Sequence, residues 1–104
     1  MSKLIVTPLA ERDIEAIGDY IAQDNPRRAL SFVRELFGQC KTIAGNPLGY
    51  RLRPELAENL RSCAYGNYVI FFSAAEQEVN IIRVLHGARD ISGEFTADHR
   101  ERCA

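Results

Sequence analysis

The chain has no tryptophan, only two histidines, and three cysteines without a CxxC pair among its 104 residues. Each scarcity removes a class of function. A metal centre would need His86 and His99 together with acids such as Asp90, and that spacing fits no common ligand pattern, so neither a metal nor another cofactor is expected. Cys40, Cys63 and Cys103 are odd in number and widely spaced, which suits reduced thiols better than a disulfide framework; Cys40 falls in a helical apolar pattern, as a small core residue would. No stretch approaches the roughly 20 apolar residues of a membrane-spanning helix. The opening MSKLIVTPLAERD carries a single positive charge and four apolar residues ahead of Thr7-Pro8, which is not a signal-peptide pattern. A cytoplasmic protein without membrane contact is the expectation. GxSxG, HExxH and phosphate-cradling glycine loops are absent as well, and no catalytic residue is assigned.

What is present divides by charge. The net charge of −1 conceals a balance of −3 over residues 1–25, +4 over 26–61 and −2 over 62–104. The middle third, with Arg27, Arg28, Arg34, Arg51 and Arg61, is therefore a candidate surface for an acidic partner, or a solvated basic helix face.

Lys3–Val6 is a short β-type run stopped by Thr7-Pro8, a good helix start because threonine caps free N–H groups and proline has none to waste. Leu9, Ala10, Ile14, Ile17 and Ile21 then recur at helical spacing to about Gln23, with Glu11, Asp13, Glu15 and Asp19 turned largely away. Asn25-Pro26 restarts a helix whose stripe is Ala29, Val33, Leu36, Cys40 and Ile43, widened by Phe32 and Phe37. Gly45-Asn46-Pro47 should end it, with Gly45 supplying a left-handed turn. So tight a connection makes an antiparallel helical hairpin. Asn46–Glu58 reads as an irregular surface loop. Asn59–Tyr65, Tyr68–Ala74 and Val79–Leu85 read as three antiparallel strands joined by Gly66-Asn67 and Glu76-Gln77-Glu78. Ser92–Ala104 is expected to be a short helix or a mobile tail. The implied fold is α+β, in the order β-α-α-β-β-β. It has an antiparallel sheet with the N-terminal helical hairpin packed on one face, in a single domain over 1–104.

The run Asn80–Asp90 leaves an apolar strand abruptly at His86, Gly87, Arg89 and Asp90. Metal-free ribonuclease chemistry needs a base, an acid and cations around one phosphate. His86 and Arg89, beside Arg61 and Arg83, could supply part of that set. Each also has a structural role open to it: Arg83 pairing with a carboxylate from within its strand, His86 capping backbone groups at the strand exit.

Taken together, TPLAERDIEAIGDYIAQDNP, ALSFVRELFGQCKTIAGNPLGYR, LRSCAYGNYVIFFSA and VNIIRVLHGARD resemble the RelE/ParE superfamily of toxin–antitoxin toxins over residues 3–91. The NP helix start, GNPxGxR and RVLHGxRD look like the ParE branch, the plasmid-stabilisation toxins. RelE-like members cleave messenger RNA in the ribosome, whereas ParE-like members act on DNA gyrase. Where RelE-like toxins often carry an arginine on the central strand this chain has Tyr68, and the aromatic beyond the last strand is Phe95, without a hydroxyl. The resemblance therefore implies a gyrase inhibitor that works by binding, with ribosome-dependent endoribonuclease activity as the alternative. It further implies a ParD-like antitoxin held in a hetero-oligomer, and no sequence-specific nucleic-acid binding by the toxin alone. Target-binding residues are expected at His86, Arg89, Arg83 and Arg61. Antitoxin-binding residues are expected at Arg27, Arg28, Arg34, Arg51, Phe32 and Phe37, against an acidic amphipathic segment.

Overall fold

The structure, a computed structural model, describes residues 3–88. Arg89, Cys103 and the expected tail at Ser92–Ala104 lie outside the described residues. Strand β1 (Lys3–Val6) leads into helices α1 (Pro8–Ala22) and α2 (Pro26–Gly45). A short 3-10 turn at Pro47–Gly49 precedes β2 (Arg51–Leu52), followed by β3 (Leu60–Tyr65), β4 (Tyr68–Ala75) and β5 (Glu78–His86).

Both helix starts form as the residues dictate. Thr7 Oγ1 accepts the Ala10 N–H at 3.3 Å and Asn25 Oδ1 accepts the Arg28 N–H at 3.1 Å, with proline at the first turn of each helix. The end of α2 differs from expectation. Gly45 remains within the helix, and the chain leaves through Asn46 at φ −155°, extended backbone that needs no glycine. The left-handed glycine is Gly66, at φ +58° in the β3–β4 turn.

The sheet runs β1-β5-β4-β3-β2. The β3–β4 and β4–β5 pairs are antiparallel, as their tight turns require. At one edge β1 pairs parallel to β5, so the sheet is mixed. The long helical connection permits this, since it returns the chain with either polarity. At the other edge, part of the expected loop forms β2, two residues paired antiparallel to β3. Beyond β2, Leu56 and Ala57 pack on Leu60, Phe71 and Leu85. The main core lies between the hairpin and the sheet, where Ile14, Ile17, Phe32, Leu36, Cys40 and Ile43 meet Ile70, Phe72, Val79, Ile81 and Val84.

Along β4 and β5 the pairing slips by one residue. Phe72 pairs with Ile81 but Phe71 with Arg83, leaving Ile82 as the extra residue of a bulge. Strict alternation would carry Val79 and Ile81 on to residues 83 and 85. With the bulge, Val84 joins the helix-side core and Leu85 the opposite cluster.

The helical hairpin is fastened to β5 where β1 ends. Past Val6 no strand among the described residues continues along the outer edge of β5, and residues at the start of α1 take the strand's place. Thr7 donates its N–H and its hydroxyl to the Ile81 carbonyl at 3.2 and 2.7 Å. Asp13 Oδ2 then accepts the Val84 N–H at 3.0 Å and Arg83 Nε at 2.7 Å, while Oδ1 accepts Arg83 Nη2 at 3.1 Å. Asp13 is thus turned inward, contrary to the expectation for α1's acids, and the pair is only 12% and 9% exposed. Deleting one partner of a buried pair strands the other's charge. Asp13→Ala should cost about 3–5 kcal/mol in urea unfolding. Asp13→Asn, which keeps an oxygen for the Val84 N–H, should cost less; equal midpoints for Asp13→Ala and wild type would show the bridge to be idle.

Cys40 and Cys63 are both buried free thiols, and Cys63 Sγ accepts from Gln39 Nε2 at 3.3 Å. Burial, and secondarily the neighbouring Cys63, push the Cys40 thiol from 9.0 up to about 11. The sign follows from linkage. The folded state holds this proton after the unfolded chain has lost it, so the stabilisation is complete below pH 9.0 and fades as pH rises toward 11. The loss is of order 2 kcal/mol. A Cys40→Ala protein should show a shallower fall in denaturation midpoint between pH 9.0 and 11 than wild type.

Candidate functional site

Two surfaces carry unusual chemistry, and they lie on different sides of the helical hairpin. One is the corner where β5 leaves the sheet. His86 ends the strand opposite Tyr68, with the ring centroids 5.2 Å apart and nearly perpendicular at 82°. Its Nδ1 accepts the Ala88 N–H at 3.1 Å, the backbone-capping role open to it from the sequence. Gly87 N–H donates to the Asn67 carbonyl at 2.8 Å and ties the strand exit to the β3–β4 turn.

From Tyr68 a row of rings crosses the end of the sheet. Phe32, on α2, packs between Tyr68 at 5.6 Å and Tyr65 at 5.8 Å. The Arg28 guanidinium lies 5.1 Å from the Phe32 ring centroid and pairs with Glu35 at 2.6 Å. Tyr65 donates its hydroxyl to the same Glu35 at 2.8 Å. The hydrogen bonds from Arg28 and then Tyr65 hold the Glu35 carboxyl below the usual range, and the bond to Glu35 raises the Tyr65 phenol. Tyr68 is raised mainly by its removal from water, with a smaller effect of Tyr20. All these groups keep their ordinary charge near neutral pH.

Of the four residues expected to contact a target, the three that are described, Arg61, Arg83 and His86, lie apart. The guanidinium groups of Arg61 and Arg83 reach toward opposite edges of the sheet. Arg61 Nη1 donates to the Tyr50 carbonyl at 2.7 Å beside β2, whereas Arg83 is buried against Asp13 beside the end of β1. His86 is exposed at the corner, and Arg89 lies outside the described residues.

The second surface is an open groove of about 670 Å³ between α1 and α2, on the side away from the aromatic row. Its floor is made of Ile14, Gly18, Ala22, Ala29 and Val33. Leu30 and Phe37, 65% and 37% exposed, form the α2 wall, while Glu11, Glu15 and Asp19 form the α1 wall. At Gly18 a Cβ would meet Val33 Cγ2 at 3.1 Å, so glycine there lets the two walls lie close.

Apart from Arg51, the expected antitoxin contacts divide between these surfaces. Phe37 lines the groove, and Arg27 and Arg34 are exposed one turn either side of Leu30 on α2. Phe32 is buried and Arg28 is paired over it, both in the aromatic row. Arg51 is exposed on the β2 edge, away from either. Sequence reading missed the inward role of Asp13. Asp13 had a signal: three residues after Ala10 and four before Ile17, it falls on the buried stripe.

No curated protein matches the chain in sequence. Among solved structures, a chain described as "Chromosomal ParDE TA system from P. aeruginosa" superposes with a TM-score of 0.71 at 24% identity, covering 83% of this chain and 96% of that one, which shows the fold. Residues 4–91 match the family described as "ParE toxin of type II toxin-antitoxin system, parDE". That match spans nearly all of the described strands and helices, and the chain belongs to the ParE toxin family of type II toxin–antitoxin systems.

Proposed function

We propose that this toxin acts in the cytoplasm by binding DNA gyrase, and that a ParD-like antitoxin neutralises it within a hetero-oligomer. The observation carrying the choice of target is the engagement of Arg61 and Arg83. A site that cleaves RNA needs cations around the scissile phosphate. Here the Tyr50 carbonyl and the Asp13 carboxylate hold the two guanidinium groups at opposite sheet edges. The exposed corner at His86 is left as a surface suited to recognition.

The antitoxin belongs in the groove between α1 and α2. An amphipathic helix laid there buries its apolar face on Leu30, Val33 and Phe37. The walls prescribe its flanks. Acidic residues run beside Arg27 and Arg34, and basic residues beside Glu11, Glu15 and Asp19, which fixes the direction of the incoming helix.

Expression of the toxin alone, followed by supercoiling and transcript-integrity assays, tests the target. Blocked supercoiling with intact transcripts is the expected result. Cut transcripts with normal gyrase would replace this reading with the endoribonuclease one. Phe37→Glu and Leu30→Glu place a charge in the groove, and each should weaken antitoxin binding at least about tenfold by calorimetry while leaving gyrase inhibition intact. Unchanged antitoxin affinity in both would move the antitoxin elsewhere.

A further inference from the structure

The corner formed by Tyr20, Tyr68 and His86, where Tyr68 packs its ring against the core, lies outside the groove. Two contacts locate it. Thr7 meets β5 at Ile81 and Asp13 meets it at Val84, so α1 advances along β5 toward the strand's exit. Tyr20 lies seven residues beyond Asp13, two helical turns further on the same side, about 10 Å along the axis. His86 lies three residues beyond Arg83, again about 10 Å. Tyr20 therefore arrives beside the His86–Tyr68 pair, near enough for its charge to bear on the Tyr68 phenol.

The chemistry presented there is specific. Tyr20 is 68% exposed, His86 is exposed and Tyr68 is half-buried. Neither phenol makes a hydrogen bond with any described residue. Nδ1 of His86 accepts from Ala88, which leaves Nε2 as the ring's donor. The corner thus offers three donors on rigid rings. Aromatic groups that bury large areas while losing little conformational freedom are the usual anchors of protein interfaces. The cations close by are committed: Arg28 to Glu35, Arg83 to Asp13. A polyanion binds through uncommitted cations and the counterions they displace, and the guanidinium packed on this row of rings is paired with Glu35.

We propose that Tyr20, Tyr68 and His86 form the surface that grips the toxin's protein target, taking a carboxylate-bearing loop of it between the rings. This inference rests on the reading of gyrase as that target. It separates target binding from antitoxin binding, because Tyr20 lies across α1 from Glu11, Glu15 and Asp19 of the groove.

The test uses full-length toxin released from its antitoxin complex. Tyr20→Phe combined with Tyr68→Phe removes both hydroxyls but keeps both rings, including the packing of Tyr68 on Phe32. The double variant should bind gyrase about tenfold more weakly and require correspondingly more protein to block supercoiling, with antitoxin affinity and melting temperature unchanged. Tyr20→Ala should lose more than tenfold. Gyrase affinity equal to wild type in both variants overturns the proposal, as does a parallel loss of antitoxin affinity. Variants that keep gyrase binding but lose affinity for a single-stranded oligonucleotide would identify a nucleic-acid platform and overturn it also. A wild-type toxin that leaves gyrase untouched removes the target itself, and that outcome is distinct from normal inhibition by the variants.

Discussion

Asp13 determines how the two layers of this fold meet. Strand β1 is four residues long and stops at Val6, which would leave the outer edge of β5 without a partner from Ile82 onward. Backbone groups buried there would be left unsatisfied. The carboxylate of Asp13 accepts the Val84 N–H as a neighbouring strand would, and holds Arg83 with both of its oxygens. The net free energy of a buried ion pair is modest, since desolvation offsets most of the attraction. Its consequence is geometric. Once Thr7 and Asp13 are fixed along β5, the direction of α1 is fixed, and with it the closing of α2 over Phe72, Ile70 and Ile81.

That geometry gives the hairpin two faces with opposite character. Between the helices lies a groove with an acidic wall and an apolar wall; around the far side lies a row of rings whose charges cancel in pairs. The +4 excess in the middle third of the sequence is spread accordingly. Arg28 and Arg53 are spent on Glu35 and Glu55, and Arg61 on a backbone carbonyl, so the excess never gathers into one positive field. Arg27 and Arg34 remain to give the groove a second electrostatic edge.

Much of this was legible from local chemistry. Thr7-Pro8 and Asn25-Pro26 mark the helix starts to the residue because capping depends on the neighbours a sequence displays. The β3–β5 meander is equally local, being joined by short turns. What escaped is non-local. The parallel pairing of β1 with β5 has no signature in KLIV, and β2 is two residues whose strand character exists only because Ser62 and Arg61 lie opposite. The inward turn of Asp13 was hidden by its charge, although its position matched the apolar stripe. The separation of Arg61 from Arg83 is non-local for a related reason. Pairing with a carboxylate was open to Arg83 in the sequence, but only the finished sheet shows that Asp13 is that carboxylate and that the Tyr50 carbonyl lies beside Arg61.

The extra residue at Ile82 reaches further than its own bend. Continued in the register of Ile81 and Phe72, the ladder would set Leu85 opposite Tyr68 and His86 opposite Asn67 in the turn. The surplus residue advances β5 by one place, so an imidazole instead of an isobutyl group meets the tyrosine. Two chains ending in the same RVLHG could therefore show a partner different faces, according to whether this single residue is counted in or out. The length of the strand, as much as the letters of the motif, decides what that corner displays.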